Sequence, residues 1–302
     1  MVAVMKRRKT KQTWEDKLFD AFVLILAIAL LVLFIYPLYY LVIASLSDVD
    51  AVINGEVKYW FVGFSTESYE LMLERKDIWT GYLNSIIITV GGTVINIVLT
   101  IVGAYVVSCS EFRYRSLAMK LMTFTMYFGG GLIPNFLLVQ SLGLYDTLWA
   151  LMIPNAISVH NLIIARTFIQ NNIPVELKEA AMLDGCDYIK LLLQIILPLS
   201  KGIIAVLALY YGVSHWNSYF NALVYLRDDA LAPLQLVLRR ILLTASAAES
   251  TGADIATVIK QIFMAEQLKY SSVLVASIPA LVAYPFVQKH LVKGVMIGSV
   301  KG

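Results

Sequence analysis

Few residues in this 302-residue chain could do chemistry, and their spacing excludes the common catalytic and metal-binding patterns. The cysteines Cys109 and Cys186 form no CxxC pair, so neither a disulfide framework nor a metal site is indicated. His160, His215 and His290 are scattered, and none has a Cys, Asp or Glu at catalytic or metal-binding spacing. The chain also lacks a GxxxxGK[ST] phosphate-binding loop. We therefore predict no catalytic residue, no metal and no cofactor within this chain.

A group of polar residues stands between two long apolar stretches, in and before EAAMLDGCDYIKLLLQIILPL at 179–199. Pro174 suits the first turn of a helix, and Gly185 accepts the left-handed conformation that ends one. Asp187 can cap a following helix. These residues predict a short helix over Val175–Asp184, a tight turn and then a second helix.

The predicted short helix has no single apolar stripe of the kind that would lie on lipid. One side carries Val175, Glu179, Met182 and Leu183, while another carries Leu177, Ala180, Ala181 and Asp184. The alanines permit close backbone approach, and Glu179 offers one charge to a partner's donor. From the residues alone, a helix held between two proteins and a connecting helix packed on its own bundle are equally compatible with this pattern.

The elements around this helix are apolar and long. The chain is 59% hydrophobic and 15% charged, whereas soluble domains are about 45–50% apolar and about 25% charged. A membrane-spanning helix needs about 20 apolar residues, and period-two alternation typical of a barrel is absent. Six blocks approach the required length: Leu18–Ser45, Ile86–Val107, Met119–Val139, Leu148–Ala165, Leu191–Val213 and Tyr270–Val287. We therefore predict an all-α integral membrane protein with six transmembrane helices, in which Pro198 kinks the start of the fifth.

The basic residues predict which side of the membrane each loop occupies, because cytoplasmic loops collect Lys and Arg. The first block is too long for a signal peptide, so we expect an uncleaved helix preceded by a cytoplasmic tail, 1–17. Basic residues also mark the second loop, the fourth loop and the C-terminal tail: Arg113, Arg115, Arg166, Lys178, Lys190, Lys289, Lys293 and Lys301. The third loop, 140–147, has none, and the first is acidic. Both termini and the loop containing Glu179 are thus predicted to be cytoplasmic.

Polar residues inside spans are costly, which makes them candidates for a transport pathway. Asn135 follows Pro134 in the third block, and Asn155 follows Pro154 in the fourth. Helices broken at such proline–asparagine steps often line cavities. For Asn96, Asn135 or Asn155 taken singly, however, a hydrogen bond between helices is the simpler expectation. For the glycines at 129–131, close helix packing is expected in preference to a hinge.

The polar stretch resembles the EAA loop of permease subunits in binding-protein-dependent ABC importers. That loop has the pattern EAA-x3-G-x9-I-x-LP, and residues 179–198 of this chain match every specified position. Cys186 departs mildly from the small residue usual there. The resemblance implies that 171–198 is a cytoplasmic coupling loop between spans four and five, whose helix sits in a cleft on a separate ATPase and transmits its motion. The residues it assigns to ATPase coupling are Glu179, Ala180, Ala181, Asp184, Gly185, Ile195, Leu197 and Pro198.

Three further stretches resemble carbohydrate-type (maltose-type) permeases, particularly the subgroup for complex oligosaccharides, some of them containing uronic acids. They are 128–158, 214–226 and 288–302. The resemblance implies one transmembrane domain over 1–302, with a core of about 80–290, in the bacterial cytoplasmic membrane. It implies oligosaccharide import with a second homologous permease, two copies of an ATPase that binds ATP and Mg, and an extracytoplasmic sugar-binding protein. It also places Trp216, Asn217, Tyr219 and Asn221 beside the substrate path. Asn135 and Asn155, at the proline breaks described above, are further candidates.

Other functional classes fit the sequence less well. An ion-coupled secondary transporter would carry ionisable residues deep in its spans, and an intramembrane enzyme would need a catalytic pair there. The basic N-terminal tail is explained by membrane orientation, so no nucleic-acid partner is expected. An ABC permease for another solute, such as an amino acid, phosphonate or polyamine, remains the alternative, because an EAA loop alone does not exclude it.

Overall fold

The computed structural model describes residues 13–248, 263, 265–266, 268–279, 281–282 and 285. Across these residues the chain is almost entirely helical and has no β-strand. The first helices are α1 (Trp14–Ser45), α2 (Val49–Ile53), α3 (Glu67–Glu74), α4 (Lys76–Ser108), α5 (Arg115–Tyr127), α6 (Leu132–Ser141) and α7 (Trp149–Met152). They are followed by α8 (Val159–Asn172), α9 (Val175–Leu183), α10 (Tyr188–Leu191), a π-helix (Leu192–Ile196), α11 (Leu197–Leu199), α12 (Lys201–Trp216), α13 (Phe220–Tyr225), a 3₁₀ turn (Asp229–Leu231) and α14 (Leu234–Ala248). Residues 268–279 are also helical.

Within the described residues, two helices are long and apolar enough to cross a membrane without interruption. They are α1 and α4, which contain the first and second predicted spans. Thr13 begins α1 with a reciprocal capping box, in which Thr13 and Asp16 each accept the other's backbone N–H. The most apolar window of α1 has no buried residues within this chain. Its side chains are therefore available to lipid or to another protein.

The third and fifth predicted spans correspond to bent pairs of helices. The axes of α5 and α6 differ by 116°, and the Tyr188–Leu199 and Lys201–Trp216 segments differ by 80°. The first bend falls at 128–131, where Cβ atoms added at Gly129 or Gly131 would meet nothing within 4 Å and Gly131 has φ +84°. The expectation that these glycines permit close helix packing is therefore wrong. They allow the chain to turn.

The fourth and sixth predicted spans differ from simple continuous helices. The fourth block is interrupted, with α7 ending at Met152 and α8 starting at Val159. Proline at 154 lacks a backbone N–H donor, and Ser158 caps the new helix by accepting the N–H of Asn161. The sixth block is helical over 270–279, and much of its remainder lies outside the described residues.

Helix α4 is the centre of the bundle and packs against α8, α12 and α14. Its second half belongs to a buried cluster that we call the coupling-side core. That cluster consists of Ile101, Ala104, Tyr105, Val107, Leu162, Ala165, Ile169, Ile173, Leu191, Ile196, Ile203, Leu207 and Tyr211. The first half of α4 contributes to a second cluster with α14 and Trp216.

The contact between α4 and α12 depends on Gly92. A Cβ atom placed there would lie 2.5 Å from Nε2 of His215, closer than atoms of these types can approach. The imidazole cannot move freely, because Nε2 is also 3.1 Å from Oδ1 of Asn96. Gly92 is thus required by a close approach between two helices.

We expect Gly92→Ala to lower the free energy of unfolding by about 1–3 kcal/mol, the usual cost of overpacking. Gly202→Ala is the matched control, because a Cβ at Gly202 in α12 meets nothing within 4 Å. In a helix, that change is expected to be neutral or stabilising by up to about 1 kcal/mol. Thermal unfolding of the purified assembly measures both effects. Equal melting temperatures for the two variants would contradict the packing role of Gly92.

Candidate coupling surface and translocation cavity

Helix α9 has the local structure predicted from the sequence and ends one residue earlier. Its end forms a Schellman motif, in which Gly185 donates to the carbonyl of Met182 and Cys186 donates to that of Ala181, each at 3.0 Å. Gly185 has φ +79°, which is the left-handed conformation that the motif requires. Asp187 then caps α10 by accepting the N–H of Lys190 at 2.7 Å. Local residues therefore specify where α9 ends and where α10 begins.

One face of α9 points away from the bundle and is formed by Glu176, Glu179, Ala180 and Leu183. All four are exposed, and their spacing of three, four and seven residues puts them on one side of a helix. Leu183 is 89% exposed. We call these four residues the outward face. A large exposed leucine beside a carboxylate and a small alanine is suited to protein contact.

The opposite side of α9 packs against the coupling-side core. Ala181, Met182 and Cys186 are partly buried against that core. Ile195 and Leu197, which the resemblance also assigns to coupling, pack against the same cluster from the next helical segment. One side of α9 and the segment after it therefore pack on the core to which α4, α8 and α12 contribute.

The segment after α9 contains a π-helix followed by the 80° bend. Pro198 lacks the N–H that would bond to the carbonyl of Gln194, and π-bulges and prolines are the usual causes of such kinks. The bend occurs between Leu199 and Lys201, just beyond the proline. The prediction that Pro198 kinks this span agrees with the observed bend.

Three of the predicted path residues line one cavity of about 350 Å³, which we call the asparagine cavity. They are Asn135 of α6, Asn155 in the break before α8, and Asn221 of α13. The complete lining is Leu132, Asn135, Leu138, Val139, Leu142, Leu144, Ile153, Pro154, Asn155, Phe220, Asn221 and Tyr225. A mainly apolar cavity with a few converging amides is typical of a small-molecule site.

The other three predicted path residues do not line this cavity. Trp216 is buried, its Nε1 donates to the carbonyl of Ala276 at 3.0 Å, and its ring lies 5.8 Å from that of Tyr82. Asn217 donates to the carbonyl of Val213 in its own helix. Tyr219 lies beneath the guanidinium of Arg239, 4.5 Å from the ring centre. Each of these side chains therefore already contacts other parts of the chain.

A hydrogen-bond network fixes the wall of the asparagine cavity to α4. The amide of Asn96 donates to the backbone carbonyl of Asn155 at 3.1 Å, and its oxygen lies 3.1 Å from Nε2 of His215. Asn96 is 1% exposed, so these bonds satisfy polar groups that would otherwise be costly to bury. Asn96 thus holds helices together, as expected, while His215 was not predicted to contribute. Its hydrogen-bond partner, Asn96 of α4, lies 119 positions away in the sequence, so local sequence patterns give no indication of this contact.

Asp146 braces the opposite side of the same cavity. It has φ +59°, its N–H donates to the carbonyl of Tyr225 at 2.9 Å, and its carboxylate accepts the N–H groups of Arg227 and Asp228. The N–H groups of Asp228 and then Arg227 hold the pKa of the Asp146 carboxyl below its usual value. The loop after α6 is thus joined to the end of α13.

Comparison with known proteins gives a consistent result, although no family model matches the chain. The chain is 36% identical over 288 residues to the polygalacturonan/rhamnogalacturonan transport system permease protein YtcP of Bacillus subtilis, covering 95% of this chain and 100% of that protein. It is 40% identical over 239 residues to protein LplC of the same organism, covering 79% and 80%.

A solved structure also resembles this chain over nearly its full length. It is a chain from the crystal structure of a bacterial ABC transporter involved in the import of the acidic polysaccharide alginate. The TM-score is 0.83 at 29% identity, covering 93% of this chain and 99% of that chain. With the identity to YtcP and the long apolar helices, these findings establish that the protein is a bacterial membrane protein and belongs to the carbohydrate-type family of ABC transporter permeases.

Proposed function

We propose that this chain is a permease subunit of an ATP-driven importer for oligosaccharides, operating by alternating access driven by a separate ATPase. The observation that carries the proposal is the outward face of α9, which presents Glu179, Ala180 and Leu183 while Ala181 and Met182 pack on the core. An outer surface for a partner and an inner surface on the bundle are the two requirements of a coupling helix. The residues proposed for coupling are those of the EAA resemblance, together with Leu183.

The proposed topology has six spans with both termini in the cytoplasm. In it, the two bent pairs are the third and fifth spans, the segment from α7 to α8 is the fourth, and the helix at 268–279 belongs to the sixth. All of 1–302 then forms one transmembrane domain, with a tail at 1–17, a core of about 80–290 and a coupling loop at 171–198. The basic residues of the tail and of the second and fourth loops support this orientation.

The proposed substrates are saccharides that include acidic ones. YtcP is named for polygalacturonan and rhamnogalacturonan, and the structural relative belongs to an importer of alginate. Neither finding supports the alternative of a non-sugar solute that the sequence left open.

The proposed assembly contains a second homologous permease, two copies of an ATPase and an extracytoplasmic sugar-binding protein. ATP and Mg belong to the ATPase in this scheme, and this chain contributes no catalytic residue. The exposed apolar surface of α1 suits contact with lipid and with the second permease.

The test uses vesicles that contain the complete assembly and its binding protein. Sugar-stimulated ATP hydrolysis and uptake are measured with galacturonate oligomers, alginate oligomers, neutral oligosaccharides, amino acids and polyamines. The proposal expects a response to at least one saccharide class. A response restricted to amino acids or polyamines would contradict it.

The asparagine cavity yields a separate prediction about residues on the path. We expect Asn155→Ala or Asn221→Ala to reduce uptake about fivefold each, because an amide–hydroxyl hydrogen bond contributes about 1 kcal/mol. Asn217→Ala is the matched control, since that amide bonds within its own helix. Uptake rates at equal membrane expression measure the effect. A larger loss for Asn217→Ala than for the two cavity variants would contradict the prediction.

A further inference from the structure

A second cavity, of about 620 Å³, lies between α5 and α8 and is lined by cations. Helix α5 contributes Arg115, Ser116, Met119, Lys120 and Thr123 to its lining, and helix α8 contributes Arg166 and Gln170. No carboxylate lines it. We call it the basic cavity. Three like charges around one space repel each other, and an anion there would relieve that repulsion.

None of the three cations of the basic cavity forms an ion pair with another described residue. The side chains of Arg115 and Lys120 also form no hydrogen bond within the described part of the chain. The carboxylate nearest in sequence, Glu111, accepts the hydroxyl of Ser110 at 3.0 Å. Its own backbone N–H and that hydroxyl lower the pKa of the Glu111 carboxyl, with smaller contributions from the charges of Lys178 and Arg115. Arg166 is held in place because its Nε donates to the carbonyl of Val107 at 3.2 Å, at the end of α4. The guanidinium is thus fixed at the cavity wall.

The larger exposed apolar surface of α5 faces away from this cavity. Leu117, Leu121 and Phe124 point about 135° away from the cavity face at 100° per residue, whereas Met126 and Tyr127, in the last turn of α5, lie on the cavity side. The exposed surface of α8 beside the cavity is polar and includes His160 and Thr167. A lipid headgroup site would be expected beside the apolar face of α5.

The basic cavity and the asparagine cavity are built by the same two parts of the chain. The continuous segment α5–α6 supplies Lys120 to the first and Asn135 to the second. The segment from the break at 153–158 into α8 supplies Arg166 to the first and Asn155 to the second. Helix α8 then leads directly into α9. The two cavities therefore share their wall elements, and one of those elements continues into the coupling surface.

We propose that the basic cavity is a transit subsite for a carboxylate of the transported saccharide, so that uronate-containing oligosaccharides pass it favourably. This inference rests on the proposed import of saccharides and adds a specific site for their charged units. Arg115 and Lys120 supply mobile positive charge, and Arg166 supplies a fixed guanidinium. The interaction is electrostatic and water-exposed, so it is expected to weaken as salt is raised.

The test measures uptake of trigalacturonate and of its neutral methyl ester by the complete assembly in vesicles. We expect the double variant Arg115→Gln/Lys120→Gln to raise the KM for trigalacturonate about tenfold, a change of about 1.4 kcal/mol. The KM for the ester is expected to change less than about twofold, because it has no charge to lose. Arg115→Lys/Lys120→Arg should retain wild-type selectivity. Arg113→Gln, which removes a cation that does not line the cavity, should also retain it.

Several results would overturn the proposal. Equal losses for the acid and the ester would indicate a structural role, and unchanged KM for both would show that the charges do not contact substrate. Loss of selectivity in the charge-retaining variant would exclude an electrostatic role. If uptake of both sugars instead required phosphatidylglycerol, and the double variant removed that requirement, the cavity would be a lipid site. If the wild-type assembly imports no saccharide at all, the proposed function fails before any variant is compared, and this proposal fails with it.

Discussion

Glu179→Ala is expected to abolish sugar-stimulated ATP hydrolysis and uptake while leaving the permease folded and inserted in the membrane. Glu179 is exposed on the outward face of α9, so removing its side chain disturbs no contact of the core. If it meets a donor on the ATPase, its loss leaves that donor buried and unpaired, at about 2–5 kcal/mol. That corresponds to a loss of affinity for the ATPase of roughly 30-fold to several thousandfold.

The measurement is ATPase binding to vesicles that contain the permease pair, followed by uptake. Glu74→Ala is the matched control, because it removes an exposed carboxylate at the end of α3, in the predicted external loop. We expect that variant to bind the ATPase normally. If the Glu179→Ala variant bound the ATPase and took up sugar normally, the assignment of α9 as the coupling helix would be wrong.

Gly185→Val is expected to uncouple the transporter by distorting the end of α9. The backbone of Gly185 is left-handed at φ +79°, a conformation that costs a β-branched residue about 1–3 kcal/mol. A Cβ there meets nothing within 4 Å, so the effect comes from the backbone and not from a clash. Relief of the strain breaks the Schellman bonds of Gly185 and Cys186 and redirects α9 relative to Asp187.

Gly55→Val is the control for this second prediction. Gly55 has φ +70° and also has nothing within 4 Å of an added Cβ, so the strain is similar, while the site is far along the chain from α9. Both variants should lower thermal stability by a similar amount. We expect a loss of sugar-stimulated ATP hydrolysis for Gly185→Val alone. Equal transport losses in the two variants would show that general instability, and not the geometry of α9, limits transport.

The coupling segment could be predicted closely because its determinants are local. Gly185 and Asp187 specify a helix end and a helix start within a few residues, and the observed end of α9 differs from the prediction by one residue. The apolar blocks likewise predicted α1 and α4, since hydrophobicity and length are sufficient for uninterrupted spans. The coupling role itself depends on a partner and stays a prediction.

The features that the sequence did not reveal depend on contacts between distant segments. The sequence indicates a helix break at Pro154 but not where the helix resumes, which is set by the Ser158 cap at the start of α8. Nor did it show that 128–131 bends sharply, because glycine allows both turning and close packing. In the sequence, Arg115 and Arg166 indicate only membrane orientation. Only the packing of α5 beside α8 places them around a common space.

The bend after Pro198 gives the coupling segment the geometry of a lever. The arm from Tyr188 to Leu199 is roughly 18 Å long at 1.5 Å per residue, and it meets α12 at a bend of 80°. A push on α9 that tilts this arm by about 10° moves its end by about 3 Å. Because the two arms are not collinear, such a push would apply a torque to α12. His215 and Trp216, at the far end of α12, are hydrogen-bonded to Asn96 and to the carbonyl of Ala276, so a rotation of α12 would be passed to α4 and to the helix at 268–279.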